Sequence, residues 1–391
     1  MTKSLKNIVI VGASYLGKRA ATALAASQAL SAAHRIILIE RNSHFSHLFQ
    51  FPRISIIPGY EHKALIPFDN LFRDAVCQSG IVRAAVTKVA EGHVELDREV
   101  AEFGTTVPYE FLVYATGSRL SPPGNVPGEG KQEGIAYFRG IQVQAAKAKR
   151  IVCIGGGAVG VQIATDLKTY MPEKEVHIVH SRATLLNRFH PDLHKTVLDT
   201  CIEYGIHTHL NSRATIPQGG FPNGQHPFTI TLSDGTSIPD VDLALTCTGQ
   251  TFNSGPIAHL VPQHINPDGT VHVLPTLQVP THPHIFCVGD INDILRIKTV
   301  KAAIPQIDVL VSNITSLSQN ELASAVVAKP RAGIHLTIGV NREVFCRMES
   351  QVEGAAGEVE RRDFEGDAHL TGKRLEGIWE QLGAGTGDMF R

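Results

Sequence analysis

Short apolar-rich runs of four recur along the chain, each closed by a turn or helix signal: Ile8–Val11, Ile36–Ile39, Leu112–Ala115, Ile151–Ile154, Val176–Val179, Leu243–Thr246 and Ile285–Val288. Runs this short, β-rich and lacking polar alternation, predict strands buried on both faces, as in parallel sheets covered by helices. Helices are expected behind the first and fourth runs, over Lys18–Ala33 and Val161–Tyr170. Strand, glycine-rich turn, helix and strand thus occur twice, with Gly12 and Gly155 143 positions apart, and the chain reads as an internal duplication of one unit. Breakers crowd Ser121–Gly128, a candidate boundary, whereas Gln218–Pro227 reads as a loop between strands. Beyond residue 325 the pattern changes: Gly333–Arg347 alternate like a hairpin and an acidic stretch, Glu349–Asp367, follows. This tail is expected to be a small α+β domain or a partner-facing extension, with Trp379 packing it.

The turns carry the chemistry. The first unit reads Ile8-Val9-Ile10-Val11-Gly12-Ala13-Ser14-Tyr15-Leu16-Gly17, a G-x-G-x-x-G fingerprint with Ser14 in place of the middle glycine. Its outer glycines serve a tight turn and close helix packing, and N–H groups at the helix start face phosphates. Glu40, followed by Arg41, ends the next strand 23 positions after Gly17, where a carboxylate binds ribose hydroxyls. The second unit, Ile151–Gly160, is a full fingerprint with Gly155, Gly157, Val159 and Gly160. Its next strand ends Val179-His180-Ser181-Arg182 without an acid, and Arg182 is either a holder of a 2′-phosphate or a surface arginine. G-x-S-x-G is excluded because Leu16 stands where that elbow needs glycine.

Two nucleotide sites on one chain suggest two cofactors that exchange electrons, usually a flavin and a nicotinamide. Tyr109–Gly117 ends in Ala-Thr-Gly, with Thr116 and Gly117; Asp242–Gly249 repeats the pattern; Thr281–Asp290 ends in Gly289-Asp290. A carboxylate at that last strand edge can accept a hydrogen bond from a ribityl hydroxyl, and a helix start after it would favour negative charge on a reduced flavin. The expected fold is α/β, two Rossmann-like three-layer domains for FAD and NAD(P) plus a small C-terminal α+β region. The boundaries read as 1–122 and 253–325 for the domain of the first fingerprint, 123–252 for that of the second and 326–391 for the tail.

With these motifs the chain resembles the two-dinucleotide-binding-domain flavoproteins, and within them the apoptosis-inducing-factor-like group of AMID or ferroptosis-suppressor type, especially fungal members. His44–Pro67, Met171–Leu186 and Ile285–Ile314 carry the resemblance, which spans about residues 5–345. It implies FAD on the first unit with Glu40 on the ribose, Val86 giving backbone contacts to adenine and Asp290 on the ribityl chain. It also implies NADPH or NADH on the second unit, hydride transfer to flavin N5, and reduction of quinones or other small acceptors. Lys63 and Lys298 match family positions for polar groups near the flavin, and Arg53 belongs to the matching Pro-Arg. Two departures stand out. Gln162 replaces the family's glutamate beside the nicotinamide and cannot ionise; Pro305 should bend the helix after Gly-Asp.

Composition narrows the partners. Lys+Arg 36 against Asp+Glu 37 gives a net charge of −1, so no nucleic-acid partner is expected. Six dispersed cysteines without C-x-x-C argue against a disulfide scaffold, zinc ribbon or dithiol centre and suit a reducing, cytoplasmic location. No signal-peptide h-region, transmembrane run, myristoylation glycine or prenylation box is visible, which leaves only peripheral contact with membranes such as mitochondria or lipid droplets. His44-x-x-His47 and His282-x-His284 lack further ligands, and no metal site is expected in the chain. The function expected is an FAD-dependent NAD(P)H oxidoreductase serving a small-molecule electron acceptor. The alternatives are a biosynthetic tailoring enzyme on the same scaffold and a redox-sensing signalling protein. Oligomeric state is not legible.

Overall fold

A computed structural model describes residues 5–365 and 373–390. Residues 1–4, residues 366–372, which include the end of the acidic stretch, and Arg391 lie outside the described residues. The seven apolar runs are strands of two sheets, and all but Leu243–Thr246, an edge strand, are flanked on both sides. One has six strands in the order Gln278–Val279, His282–Cys287, Phe111–Tyr114, Lys6–Val11, His34–Glu40 and Ser79–Arg83, all parallel except the first pair. The other is wholly parallel: His207–His209, Glu175–Val179, Arg150–Ile154 and Leu243–Thr246. Central strands such as Ile8–Val11 and Ile151–Ile154 are buried on both faces, which is why they show no polar alternation. Each sheet is flanked by a smaller antiparallel element, Val86–Ala90 with His93–Val100 and Gly104–Pro108 in the first, Phe228–Thr231 with Ser237–Val241 in the second. The architecture is the α/β, twin-Rossmann one expected from the duplicated fingerprints.

Helices differ from expectation at their ends. The first spans Tyr15–Ala25, not Lys18–Ala33. Its C-terminal carbonyl, Ala25 O, is taken by the backbone N–H groups of Val76 and Cys77, both at 2.9 Å, so a segment fifty residues away ends it. The helix expected directly after Gly289-Asp290 is also displaced. Gly289–Ile291 form a 3-10 turn, helix resumes only at Val300–Ala303, and Pro305 separates that turn from Gln306–Ser318.

The tail is not an extension. Gly333–Thr337 and Arg342–Met348 form the expected hairpin, and Gly357–Asp363, within the acidic stretch, adds a third strand. Arg342 clamps this sheet to the second domain through both carboxylate oxygens of Glu203, at 2.7 and 3.0 Å, while its Nε donates to Asp363 of the sheet's own third strand at 2.8 Å. The helix Lys373–Gln381 instead joins the first domain's core. Trp379 is fully buried there and its indole N–H donates to the Lys63 carbonyl at 2.8 Å. The chain end follows it: Lys131 Nζ donates to the Met389 carbonyl at 2.6 Å, and Phe390 stacks on His62.

Candidate functional site

Glycine is required in both cradles by contact. A Cβ on Gly12, with φ +95°, would stand 2.8 Å from the Ala115 carbonyl oxygen, and one on Gly17 1.8 Å from Gly12 O. In the second cradle the same holds for Gly155, with φ +124° and 2.5 Å to Cys247 O, and for Gly160, 1.9 Å from Gly155 O. Each loop is therefore pressed against the strand end that carries Ala-Thr-Gly or Cys-Thr-Gly. The helix-starting residues, Ser14 and Gly157, are both extended and neither caps its helix with a side chain. The first-turn N–H groups are left to face outward. Around Gly157 an added Cβ would meet nothing within 4 Å. Open, donor-lined helix starts of this kind fit the diphosphate of a dinucleotide.

The duplication extends one residue further than the glycines. Ala13 N donates to Glu40 Oε2 at 2.7 Å, and the equivalent Gly156 N donates to His180 Nδ1 at 3.0 Å. Glu40 also accepts from the Asn42 backbone and side-chain amides, at 2.8 and 2.9 Å. Burial raises its carboxyl above the ordinary range, against the pull of these N–H groups. Burial lowers the His180 imidazole. The first cradle thus ends in a carboxylate and the second in a neutral imidazole, with Arg182 exposed two residues on. Arg41 is exposed beside Glu40, and Val86 is half-buried at the start of its strand.

The two domains are joined by paired strands, Ser118–Leu120 and Gln250–Phe252, and Asp290 sits against both. Its Oδ2 accepts from Ser118 Oγ at 2.8 Å and Gln250 Nε2 at 3.0 Å. Burial raises its carboxyl, and Lys298 opposes that. Burial lowers the Lys298 ammonium, with Asp290, Asp268 and Asp293 pushing back. Lys298 donates to the Asn292 carbonyl and lies 5.3 Å from the Phe252 ring centroid. The Gly289 N–H is held at 2.8 Å by Gln306 Oε1, which also takes Asn292 Nδ2 at 3.0 Å. Pro305, by breaking the helix, places Gln306 under the Gly-Asp turn. Thr116 and Gly117 are tied to Asn253: Thr116 Oγ1 donates to its carbonyl at 3.1 Å, and its N–H donates to Gly117 O at 3.1 Å. Gly249, with φ +82°, leads into the return strand.

Other expected residues are committed elsewhere. Arg53 lies inside the protein, its Nε and Nη2 on Asp166 at 3.0 and 2.8 Å and its Nη2 also on Gly339 O at 2.8 Å. It locks the Phe51–Ile54 helix to the second-cradle helix Ala158–Tyr170 and to the tail hairpin, and its guanidinium is spent there. Gln162 donates from Nε2 to Thr337 Oγ1 at 2.7 Å, so the tail sheet holds it. Lys63 is half-buried on the Glu61–Ala64 turn, its ammonium 5.7 Å from the Tyr60 ring centroid. Tyr15 and Leu16 start the first helix; Leu16 is buried, and Tyr15 Oη meets His47 Nδ1 at 2.9 Å. Around that bond Phe45 and Phe49 complete an aromatic group, with centroids 5.1 and 4.8 Å from Tyr15.

Several contributors escape sequence reading. Ser118, Gln250, Gln306 and Thr337 are polar residues in ordinary contexts, and only Ser118 and Gln250, each directly after a Thr-Gly turn, stand where a motif could have flagged them. His44 and His47 do not converge: His44 Nδ1 meets Ser43 Oγ while His47 turns to Tyr15.

The sequence was compared with known proteins. A family model described as pyridine nucleotide-disulphide oxidoreductase matches residues 6–306. Fe-regulated protein 8 of Mycosarcoma maydis is 32% identical, over 99% of this chain and 97% of that protein. FAD-dependent oxidoreductase FVFD30 of Flammulina velutipes is 33% identical over 67% of this chain and 78% of its own length. Ferroptosis suppressor protein 1 of Xenopus tropicalis is 28% identical over 72% of this chain and 73% of its own. The resemblance read from the three motif-bearing segments is borne out.

Proposed function

Because the chain belongs to the pyridine nucleotide-disulphide oxidoreductase family and is an FAD- and NAD(P)H-dependent oxidoreductase, we propose that its electron acceptor is a small quinone-type molecule that meets the flavin directly. The observation that carries this reading is the placement of the thiols. His44–Pro67, which follows the Glu40 strand, contains no cysteine. All six cysteines are free. Cys153 and Cys247 are neighbours, but they lie beneath the second glycine loop, where the partner thiol and burial raise the Cys153 pKa well above the ordinary range. A thiol so raised is a poor nucleophile, and no dithiol is offered as a relay.

In this reading the first cradle holds FAD. N–H groups from Ser14 to Gly17, on the turn that Gly12 opens, face its diphosphate, Glu40 with Arg41 takes the ribose, Val86 flanks adenine, and Thr116, Gly117, Gly289 and Asp290 receive the ribityl chain. The second cradle, Gly155, Gly157, Val159, Gly160 and Gly249, holds the nicotinamide dinucleotide. With His180 neutral and Arg182 cationic in place of an acid, a 2′-phosphate meets no like charge, so NADPH is accepted at least as well as NADH. When bound, these cofactors supply two-electron chemistry between nicotinamide, flavin and acceptor. The protein's own part is electrostatic. Lys298, half-sheltered beside Asp290, puts a cation where negative charge develops, and Lys63 on the Glu61–Ala64 turn is a second cation offered to the flavin. Gln162, held by Thr337, holds no transferable proton. Arg53 has no part in this scheme.

Anaerobic mixing tests the proposal. NADPH bleaches the flavin, and a short-chain ubiquinone analogue restores its colour faster than dioxygen does. Absence of bleaching by NADPH and NADH would overturn the assignment of the second cradle. Bleaching without reoxidation by quinones would overturn the acceptor and favour the second reading, oxidative tailoring of a metabolite, which Gln162 supports because it removes the carboxylate that could protonate a reduced quinone.

A further inference from the structure

We propose that the open edge of the NAD(P)-domain sheet is a binding site for one divalent cation of the zinc class, ligated by Glu175 Oε1, His177 Nε2 and His207. The strand Glu175–Val179 runs parallel to the edge strand His207–His209, with His177 opposite His207. Side chains alternate along a strand with period two, so Glu175 and His177 share a face, and the register puts His207 and His209 on that same face. The ligand atoms of Glu175, His177 and His207 all lie within 4.8 Å of one another.

The spacing suits an ion. Glu175 Oε1 stands 3.0 Å from His177 Nε2, a few tenths of an ångström inside the about 3.3–3.6 Å that separates two ligands held about 2.0–2.2 Å from a tetrahedral zinc. His177 Nδ1 faces His209 Nε2 at 3.0 Å. A ligating imidazole whose second nitrogen is held by a neighbour has its ring and tautomer fixed. His177 is buried while His207 is exposed, so the site opens to solvent and leaves a position for water. Two imidazoles with one carboxylate favour zinc, copper or nickel over magnesium or calcium, which need a shell of oxygens. One charge opposes binding: Arg150 Nε lies 3.0 Å from Glu175 Oε1. Nε makes no hydrogen bond there, and the guanidinium also contacts the Pro239 carbonyl and Asp240, so Arg150 has other partners when a cation takes the carboxylate. Affinity is therefore expected in the micromolar range, with free exchange.

The test uses the FAD-loaded full chain, free of affinity tag, stripped with chelator and desalted. Zinc chloride is titrated calorimetrically at pH 7.5 into wild type, His207→Ala and Glu175→Gln. His207 is exposed, so its variant keeps the fold, which unchanged flavin bleaching by NADPH verifies. One equivalent should bind to wild type, and each variant should weaken it at least about tenfold. Cobalt(II) should give a visible tetrahedral spectrum that His207→Ala abolishes. No stoichiometric binding, or equal affinity in the variants, would show that Glu175 and His177 form a carboxylate–imidazole hydrogen bond only. Zinc that remains bound in both variants would assign the ion to other histidines, such as His282 and His284, and overturn the proposal.

Discussion

Alanine at Gly160 would separate packing from ligand contact in the second cradle. The added methyl falls 1.9 Å from the Gly155 carbonyl oxygen and 3.3 Å from Cys247 Cβ. A tolerable carbon–oxygen contact is about 3.3 Å, so the helix start must retreat by roughly 1.4 Å. Overpacking of this kind costs about 1–3 kcal/mol of stability, a few degrees in Tm. A displacement of about 1 Å at a binding centre lowers turnover about 100-fold, so kcat/KM for NADPH should fall by that order. Gly157→Ala is the control. Its φ of −83° admits alanine and its methyl meets no protein atom within 4 Å, so Tm should hold to within a degree or two, yet the methyl stands over the donor-lined helix start. Its kcat/KM for NADPH should drop at least about tenfold, with FAD content unchanged. Both variants are assayed by flavin absorbance, thermal melting and quinone-coupled NADPH oxidation. If Gly157→Ala keeps wild-type kcat/KM, or if Gly160→Ala loses FAD while retaining nucleotide affinity, the assignment of this cradle to the nicotinamide fails.

Three further outcomes are expected. Arg53→Met leaves Asp166 buried without a partner and should cost about 3–5 kcal/mol in a urea midpoint. Adding Asp166→Asn should restore part of it, and FAD loss at unchanged midpoint would instead make Arg53 a cofactor ligand. Trp379→Ala should cost about 3–5 kcal/mol by opening a cavity in the first domain's core, measured in the same way; an unchanged midpoint would mean that the tail helix does not dock. Stability should also fall with acid. Burial pulls the imidazoles of His44 and His47 down to about 4, whereas an unfolded histidine titrates near 6.5. The unfolded chain therefore binds more protons between these values. The stabilisation is complete above pH 6.5 and fades as pH drops toward 4, by up to about 3 kcal/mol per residue. His44→Gln/His47→Gln should flatten that slope between pH 7.5 and 5, and an equal slope in the double variant would refute the assignment.

What the amino-acid order determined by itself was periodic or locally spaced. Unbroken apolar runs specified two-faced burial, and hence parallel sheets. Glycines at Gly12, Gly17, Gly155 and Gly160 specified the cradles, because the contacts that forbid a side chain are set within each turn and by the strand end beside it. Pro305 foretold the broken helix. Tertiary structure alone decided which polar groups meet. Arg53 finds Asp166 across 113 positions, Asp290 finds Ser118 across 172, and Gln162 finds Thr337 across 175. It divided the tail, legible only as a small α+β domain or a partner-facing extension, between a sheet on one domain and a helix in the other's core. It also set Glu175 and His177 beside His207, through a strand register no local pattern encodes. The physical reason is the same in each case. Backbone period and glycine sterics act over a few residues, whereas a buried charge or imidazole takes its partner from whichever distant segment the packed core brings within hydrogen-bond reach.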